Sequence, residues 1–187
     1  MRIISGNFKG KKILQPKDKL TRPLRDLAKE SIFNVLNHSN KFNVKIKDSN
    51  IVDIFSGIGS FGLECLSRQA SKVIFIENYL NVLPILKKNI LSINGLNNSS
   101  IFEEDVYAEF DFKILDTKFE IIFLDPPFKQ KKLPELLKKI HESNILSNNG
   151  VIIIHRHKNE KDNFPSFFKV LEEKSYGISK ILFAKFS

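Results

Sequence analysis

A glycine-rich segment directly after a short apolar run is the feature that most restricts the fold of this 187-residue chain. Residues 51–55 have the length and composition of a buried strand, and residues 56–62 then place glycines at positions 57, 59 and 62. Apolar residues at helical spacing continue from about Phe61 to Arg68. A strand, a glycine turn and a helix in this order predict the first unit of an α/β fold with a parallel sheet.

The remaining sequence continues this alternation. Further strands are predicted at 72–76, 100–102, 120–124 and 150–155, with helices that end near Ile93 and Ser143. Residues 167–172 and 178–186 are predicted to form a hairpin that adds an antiparallel strand. We therefore expect a seven-stranded, mostly parallel sheet with helices on both faces. We predict two parts, a basic β-hairpin and helix at 1–50 and the main domain at 51–187.

Positive charge is concentrated at the start of the chain. Residues 1–50 hold 12 Lys and Arg against 4 Asp and Glu, whereas residues 51–187 hold 18 against 17. A basic N-terminal part on a nearly neutral body predicts contact with a polyanion, although a solvated lysine-rich face is the alternative. The candidate nucleic-acid contacts are Arg2, Lys9, Lys11, Lys12, Arg22 and Arg25.

Several residue types argue against other classes of protein. A single cysteine, Cys65, excludes a disulfide framework and a Cys-rich zinc site, and we expect it to be a buried small hydrophobe. His155 and His157 have no third ligand at metal spacing, so we expect surface or strand-end residues and no metal. The apolar runs are too short to span a bilayer, so we expect no membrane partner. We also expect a cytoplasmic protein and a monomer.

The glycine segment matches the pattern G-x-G-x-x-G, and Glu77 lies 20 residues after Gly57. A nicotinamide dinucleotide is one candidate ligand for this pattern. Asp53, inside the strand, would repel its pyrophosphate but attract the sulfonium and ammonium groups of S-adenosylmethionine (AdoMet). Glu77 suits a ribose diol and Asp105 suits the adenine amino group. The predicted cofactor-binding residues are Asp53, Phe55, Ser56, Gly57, Gly59, Glu77 and Asp105.

The fourth predicted strand ends in Asp125-Pro126-Pro127-Phe128, at the sheet edge where ligands bind in such folds. The prolines remove two N–H donors and leave stiff backbone with carbonyl acceptors. Asp125 adds a carboxylate, and Phe128 adds an aromatic face on which a base can stack. Such acceptors suit the exocyclic amine of a nucleobase, so we predict that these four residues are catalytic. A rigid turn without catalytic function is the alternative.

These motifs together resemble the bacterial 16S ribosomal RNA guanine-N2 methyltransferases of the RsmD type. The similarity covers nearly the whole chain, and its specific part is N-terminal: Arg2-Ile3-Ile4-Ser5-Gly6, Arg22-Pro23 and residues 30–36. It continues through residues 53–64, 66–70 and 125–128. The chain departs from the family pattern at residues 24–29, where Leu24 and Leu27 replace polar or basic positions.

The resemblance implies a Rossmann-like class I fold and AdoMet-dependent methylation of one guanine N2 in 16S rRNA, with assembled small subunits as the substrate. Adenine-N6 methylation of DNA or RNA is the alternative reaction, because the same acceptors suit either amine. A non-catalytic RNA-binding assembly factor is the alternative from another class. A nicotinamide-dependent oxidoreductase is the third.

Overall fold

The computed structural model of the chain describes residues 1–16, 24, 26–127 and 131–187. Helices and strands alternate along most of the sequence, as predicted, with short 3-10 turns before β3 and β4. The elements are α1 (Asp26–His38), β1 (Asn50–Ile54), α2 (Ser60–Ser67), β2 (Lys72–Ile76), α3 (Leu83–Ser92), β3 (Ser99–Phe102), β4 (Phe119–Leu124), α4 (Leu133–Ser143), β5 (Leu146–His157), β6 (Phe168–Tyr176) and β7 (Ser179–Phe186).

The seven strands form one sheet in the order β3-β2-β1-β4-β5-β7-β6. Strands β1 to β5 are parallel, and β7 pairs antiparallel with both β5 and β6. The predicted α/β architecture, including the final hairpin, is therefore confirmed. The strand order reverses between β1 and β4, and the carboxyl ends of these two neighbours border the crevice in which such sheets bind ligands.

Both faces of the sheet are covered. Successive residues of β1 alternate between two apolar cores, with Ile51 in one and Val52 in the other. The first core includes residues of α1, α2 and α3, and the second includes residues of α4. This arrangement explains why the parallel strands are nearly continuous apolar runs.

The N-terminal segment packs on the main body. Its Arg2 and Lys12 form a single antiparallel bridge, and the chain reverses between them with positive φ at Gly6 and Gly10. The predicted β-hairpin is thus reduced to one bridge, and the chain turns at residues 5–10, where these two glycines supply the left-handed backbone. Residues 38–50 bury three apolar side chains at alternate positions, Phe42, Val44 and Ile46.

A buried carboxylate on α2 anchors this segment. Glu64 is fully buried, and its two oxygens accept the N–H groups of Ile4 at 2.8 Å and Ser5 at 2.9 Å. Lys29 of α1, also fully buried, lies 3.9 Å from Glu64 and donates to the Arg2 carbonyl at 2.8 Å. The division at residue 50 stays a prediction, but the two parts share one apolar core.

Candidate active site

The chain turns sharply from β1 into α2. Phe55 has a φ of 62°, although it is not glycine, and Gly57 and Gly59 have φ of 55° and 83°. The Ser56 N–H donates to the Ile76 carbonyl at 3.1 Å, which ties the turn to the end of β2. A Cβ at Gly59 would lie 2.6 Å from a side chain of α3. Close packing and a left-handed backbone therefore both require glycine at position 59.

Asp53 lies below this turn, only 1% exposed. Its Oδ2 accepts the N–H of Gly62 at 2.9 Å, and this bond connects β1 to the first turn of α2. Burial raises the pKa of Asp53 well above its ordinary value; the Gly62 bond opposes this, and the negative charges of Asp125 and Glu77 add to it. Three carboxylates thus lie near one edge of the sheet, and a cationic ligand there would favour the ionised form of Asp53.

Glu77 follows β2 and is bound by three backbone donors. Its Oε2 accepts the Gly57 N–H at 2.7 Å, and its Oε1 accepts the N–H groups of Asn78 at 3.0 Å and Tyr79 at 2.8 Å. The structure therefore places Glu77 against the glycine turn, as the sequence spacing predicts. Because Oε2 accepts only one of these bonds, it keeps a lone pair for a ligand hydroxyl.

An aromatic pair lies beside the turn. The rings of Phe55 and Tyr107 are 5.2 Å apart between centroids. The exposed Asp105 accepts the Tyr107 N–H at 2.9 Å, so its carboxylate is held next to this pair. Burial raises the pKa of Tyr107 to about 12. The hydroxyl oxygens of Tyr107 and Ser56 are buried without a hydrogen-bond partner in the described part of the chain. These two hydroxyls, at the glycine turn and in the aromatic pair beside it, are available to bind a polar ligand.

Asp125 stands at the carboxyl end of β4, next to β1. Its N–H donates to the Ile54 carbonyl at 3.2 Å, which continues the β1–β4 pairing by one residue. Its carboxylate is partly exposed, Pro126 is buried and Pro127 is exposed. Phe128, the fourth predicted catalytic residue, lies outside the described residues.

The structure corrects our expectation for His155. This residue lies within β5, which continues to His157 instead of ending at residue 155. It is only 7% exposed, and its Nδ1 lies 2.8 Å from Asp125 Oδ1. Its Nε2 lies 2.9 Å from the Ser179 hydroxyl of β7. Leu124 pairs with Ile154 in the sheet, so the next residues, Asp125 and His155, are neighbours. The sequence signal for this contact was that both residues lie at the carboxyl ends of predicted strands, 120–124 and 150–155.

Arg156, the next residue of β5, was also missed by the sequence analysis. It is 1% exposed and makes two hydrogen bonds to the Asp162 carboxylate, from Nε at 3.1 Å and from Nη2 at 2.8 Å. Its Nη1 donates to the Pro127 carbonyl at 3.4 Å. A buried, paired guanidinium therefore supports the backbone of the Asp-Pro-Pro segment.

The predicted nucleic-acid contacts lie on the N-terminal segment. Arg2, Lys9, Lys11 and Lys12 are all exposed, and the Lys11 ammonium donates to the carbonyl of Ser92. Arg22 and Arg25 lie outside the described residues. These four side chains are therefore accessible to a phosphate group.

Cys65 is fully buried, which confirms its expected place in the core. Among residues 1–16, 24, 26–127 and 131–187, the structure has no group of three or more His, Cys, Asp or Glu side chains that could hold a metal ion. None of the helices that it describes is long and apolar enough to cross a bilayer.

Comparison with known proteins places this chain in a family. The family model described as "Conserved hypothetical protein 95" matches residues 1–185. The chain is 32% identical over 183 residues to Ribosomal RNA small subunit methyltransferase D of Haemophilus influenzae, which covers 95% of this chain and 90% of that protein. It is 29% identical over 178 residues to the Escherichia coli K12 protein of the same name, covering 95% and 85% of the two chains.

Solved structures agree with this assignment. The Escherichia coli protein yhhF superposes with a TM-score of 0.82 at 26% identity, covering 100% of this chain and 98% of that one. An RNA methyltransferase from Salinibacter ruber, solved in complex with S-adenosyl-L-homocysteine, has the same fold, with a TM-score of 0.64 at 11% identity over 87% and 92% of the two chains. The fold is the Rossmann-like fold of AdoMet-dependent methyltransferases, and the chain belongs to the RsmD-type methyltransferase family.

Proposed function

We propose that this protein transfers a methyl group from AdoMet to the N2 amine of one guanine in 16S ribosomal RNA, with the assembled small subunit as its substrate. Ribosomal RNA methylation with AdoMet follows from its family. The choice of base, of atom and of subunit is our proposal. The observation that supports it most directly is the convergence of Asp53, Glu77 and Asp125 at one edge of the sheet.

The residues present fit AdoMet. Negative charge from Asp53, Glu77 and Asp125 suits a molecule that carries a sulfonium and an ammonium group. We assign Glu77, with its remaining lone pair, to the ribose diol, and the exposed Asp105 to the adenine amine. The buried, unpartnered hydroxyl of Ser56 supplies a further polar group next to the glycine turn. When bound, AdoMet supplies an electrophilic methyl group.

The acceptors at the end of β4 suit an exocyclic amine. Asp125 and the Pro126 carbonyl would each accept one N–H of the amine, which favours a tetrahedral nitrogen with a free lone pair. The nitrogen loses one proton for each methyl group gained, and Asp125 or water accepts it. We assign Phe128 to stacking on the target base after the base has left its helix or loop.

The N-terminal segment would hold the RNA. Most of the net charge of +9 comes from residues 1–50, and Arg2, Lys9, Lys11 and Lys12 are exposed there. Contacts from these side chains, and from Arg22 and Arg25, would neutralise phosphates without reading base sequence. We propose that this segment recognises RNA and that the domain from residue 51 carries the chemistry, in the cytoplasm and as a monomer.

Radiolabelled AdoMet would test the proposal with three substrates: small subunits from cells that lack this gene, naked 16S rRNA and duplex DNA. Each product is digested to nucleosides and separated by chromatography. We expect label in N2-methylguanosine from the subunits, and none with Asp125→Ala, which should still bind AdoMet. Label in N6-methyladenine would overturn the choice of base. No label from any substrate, despite AdoMet binding, would favour the assembly-factor alternative.

A further inference from the structure

A row of three side chains crosses the sheet next to the proposed catalytic carboxylate. Asp125 ends β4, His155 lies on β5, and Ser179 begins β7, so each comes from a neighbouring strand. The distances are 2.8 Å from Asp125 Oδ1 to His155 Nδ1 and 2.9 Å from His155 Nε2 to Ser179 Oγ. The exposed fractions of the Asp125 and His155 side chains are 19% and 9%. One end of the row is therefore open to a substrate, and its centre is shielded from water.

The chemistry of Asp125 determines which nitrogen of His155 carries hydrogen. An ionised carboxylate can only accept hydrogen bonds, so His155 Nδ1 must be the donor. In the neutral ring Nε2 is then an acceptor, and the Ser179 hydroxyl donates to it. This Nδ1–H form is the less common tautomer of free histidine. The two neighbours of the ring therefore select it.

Consecutive residues of β5 hold the Asp-Pro-Pro segment at both ends. His155 binds the side chain of Asp125, and Arg156 donates to the Pro127 carbonyl at 3.4 Å. With Oδ1 bound to His155, Oδ2 is the oxygen available to a second donor such as a substrate amine. The carboxylate cannot then rotate without losing the hydrogen bond from His155.

We propose that His155, oriented by Ser179, is a positioning residue for methyl transfer and acts by holding Asp125 in the orientation that accepts the amine. This inference rests on the proposed function of Asp125. It adds a requirement for one hydrogen-bond donor at the position of His155 Nδ1. A histidine with only a packing role would not need a donor there.

Two substitutions at position 155 separate these roles. His155→Asn keeps a donor near the position of Nδ1, whereas His155→Leu keeps apolar volume and removes the donor. We expect kcat of the Leu variant to fall about 10- to 100-fold because the carboxylate is no longer oriented. The Asn variant should recover most of this loss. The KM for RNA and the Kd for AdoMet should be unchanged in both. His157→Leu, two residues along the same strand, is the control and should retain activity.

The tautomer offers a second measurement that does not need turnover. In ¹⁵N spectra of labelled histidine, we expect a protonated Nδ1 for His155 in the wild type and its loss in Asp125→Ala. Equal kcat in the Leu variant and the wild type would overturn the inference, as would an Asn variant as impaired as the Leu variant, or a protonated Nε2 in the neutral ring. Wild-type protein that binds AdoMet and shows this tautomer, but methylates no guanine, would refute the proposed function and leave the His155 geometry standing.

Discussion

Replacing Glu64 by Gln should loosen the N-terminal segment from the body of the protein. Glu64 is fully buried on α2 and accepts the N–H groups of Ile4 at 2.8 Å and Ser5 at 2.9 Å. It also accepts Nε of Arg68 at 3.0 Å and lies 3.9 Å from the Lys29 ammonium. A glutamine of the same shape presents one NH₂ group to these donors and carries no charge. At least one buried donor therefore loses its acceptor.

The size of the effect follows from the burial of both charges. The side chain of Lys29 is 0% exposed, and in the described part of the chain its remaining acidic partner is Asp26, at 3.4 Å. Removing one member of a buried ion pair typically costs about 3–5 kcal/mol. The free energy of unfolding should fall by that amount. The cost of the backbone N–H that loses its acceptor is counted within it and is not added again. For a domain of this size, the melting temperature Tm should fall by about 6–20 °C.

Calorimetry and hydrogen exchange would measure this change. Besides the lower Tm, we expect faster exchange at the amides of Ile4 and Ser5, which lose their acceptor. Glu173→Gln, on the exposed face of β6, removes the same charge without a buried partner and should leave Tm nearly unchanged. A fall in Tm of less than about 3 °C for Glu64→Gln, with Ile4 and Ser5 still protected, would show that Glu64 does not hold this segment.

Three further predictions concern the site and the basic segment. Burial raises the folded-state pKa of Asp53, so this group lowers wild-type stability as pH rises from the ordinary carboxyl range through the raised value. Asp53→Asn should remove this loss in denaturation series at several pH values; an identical pH dependence in both proteins would contradict it. Glu77→Ala should weaken AdoMet binding about 10- to 100-fold by calorimetry, whereas an unchanged Kd would exclude Glu77 from the cofactor site. Changing Lys9, Lys11 and Lys12 together to Gln should reduce the slope of log K against log salt for RNA binding by about 2, and an unchanged slope would mean that these lysines contact no phosphate.

Local patterns were sufficient to predict most of the fold. Strands β1, β2 and β4 are short apolar runs buried on both faces, so their bounds in the structure are close to those predicted. Strand β5 was predicted to begin at residue 150, but it begins four residues earlier, at Leu146. The added residues are mostly polar, and their pairing with β4 is between Leu146 and Phe119. Such a segment has no alternation of apolar and polar residues from which a strand could be predicted.

The sequence predicted residues of the candidate site only where they lie at or near the carboxyl end of a strand. Asp53, Glu77 and Asp125 lie at or near the carboxyl ends of their strands, and parallel strands bring those ends to one edge. His155 follows the same rule, but the expectation of a surface or strand-end residue did not include its burial against Asp125. β7 contributes to the burial of His155, because it places the Ser179 hydroxyl against Nε2 of the ring.

Local sequence patterns are enough to predict the strand–turn–helix order, the glycine turn, the acidic residues at the sheet edge and the basic start of the chain. These features depend on residues within a few positions of one another. The folded chain is needed to bring His155 to Asp125, 30 residues away, and Glu64 to Ile4, 60 residues away. Such contacts depend on strand order and helix docking, which arise from the burial of apolar surface over the whole chain and not from any local pattern.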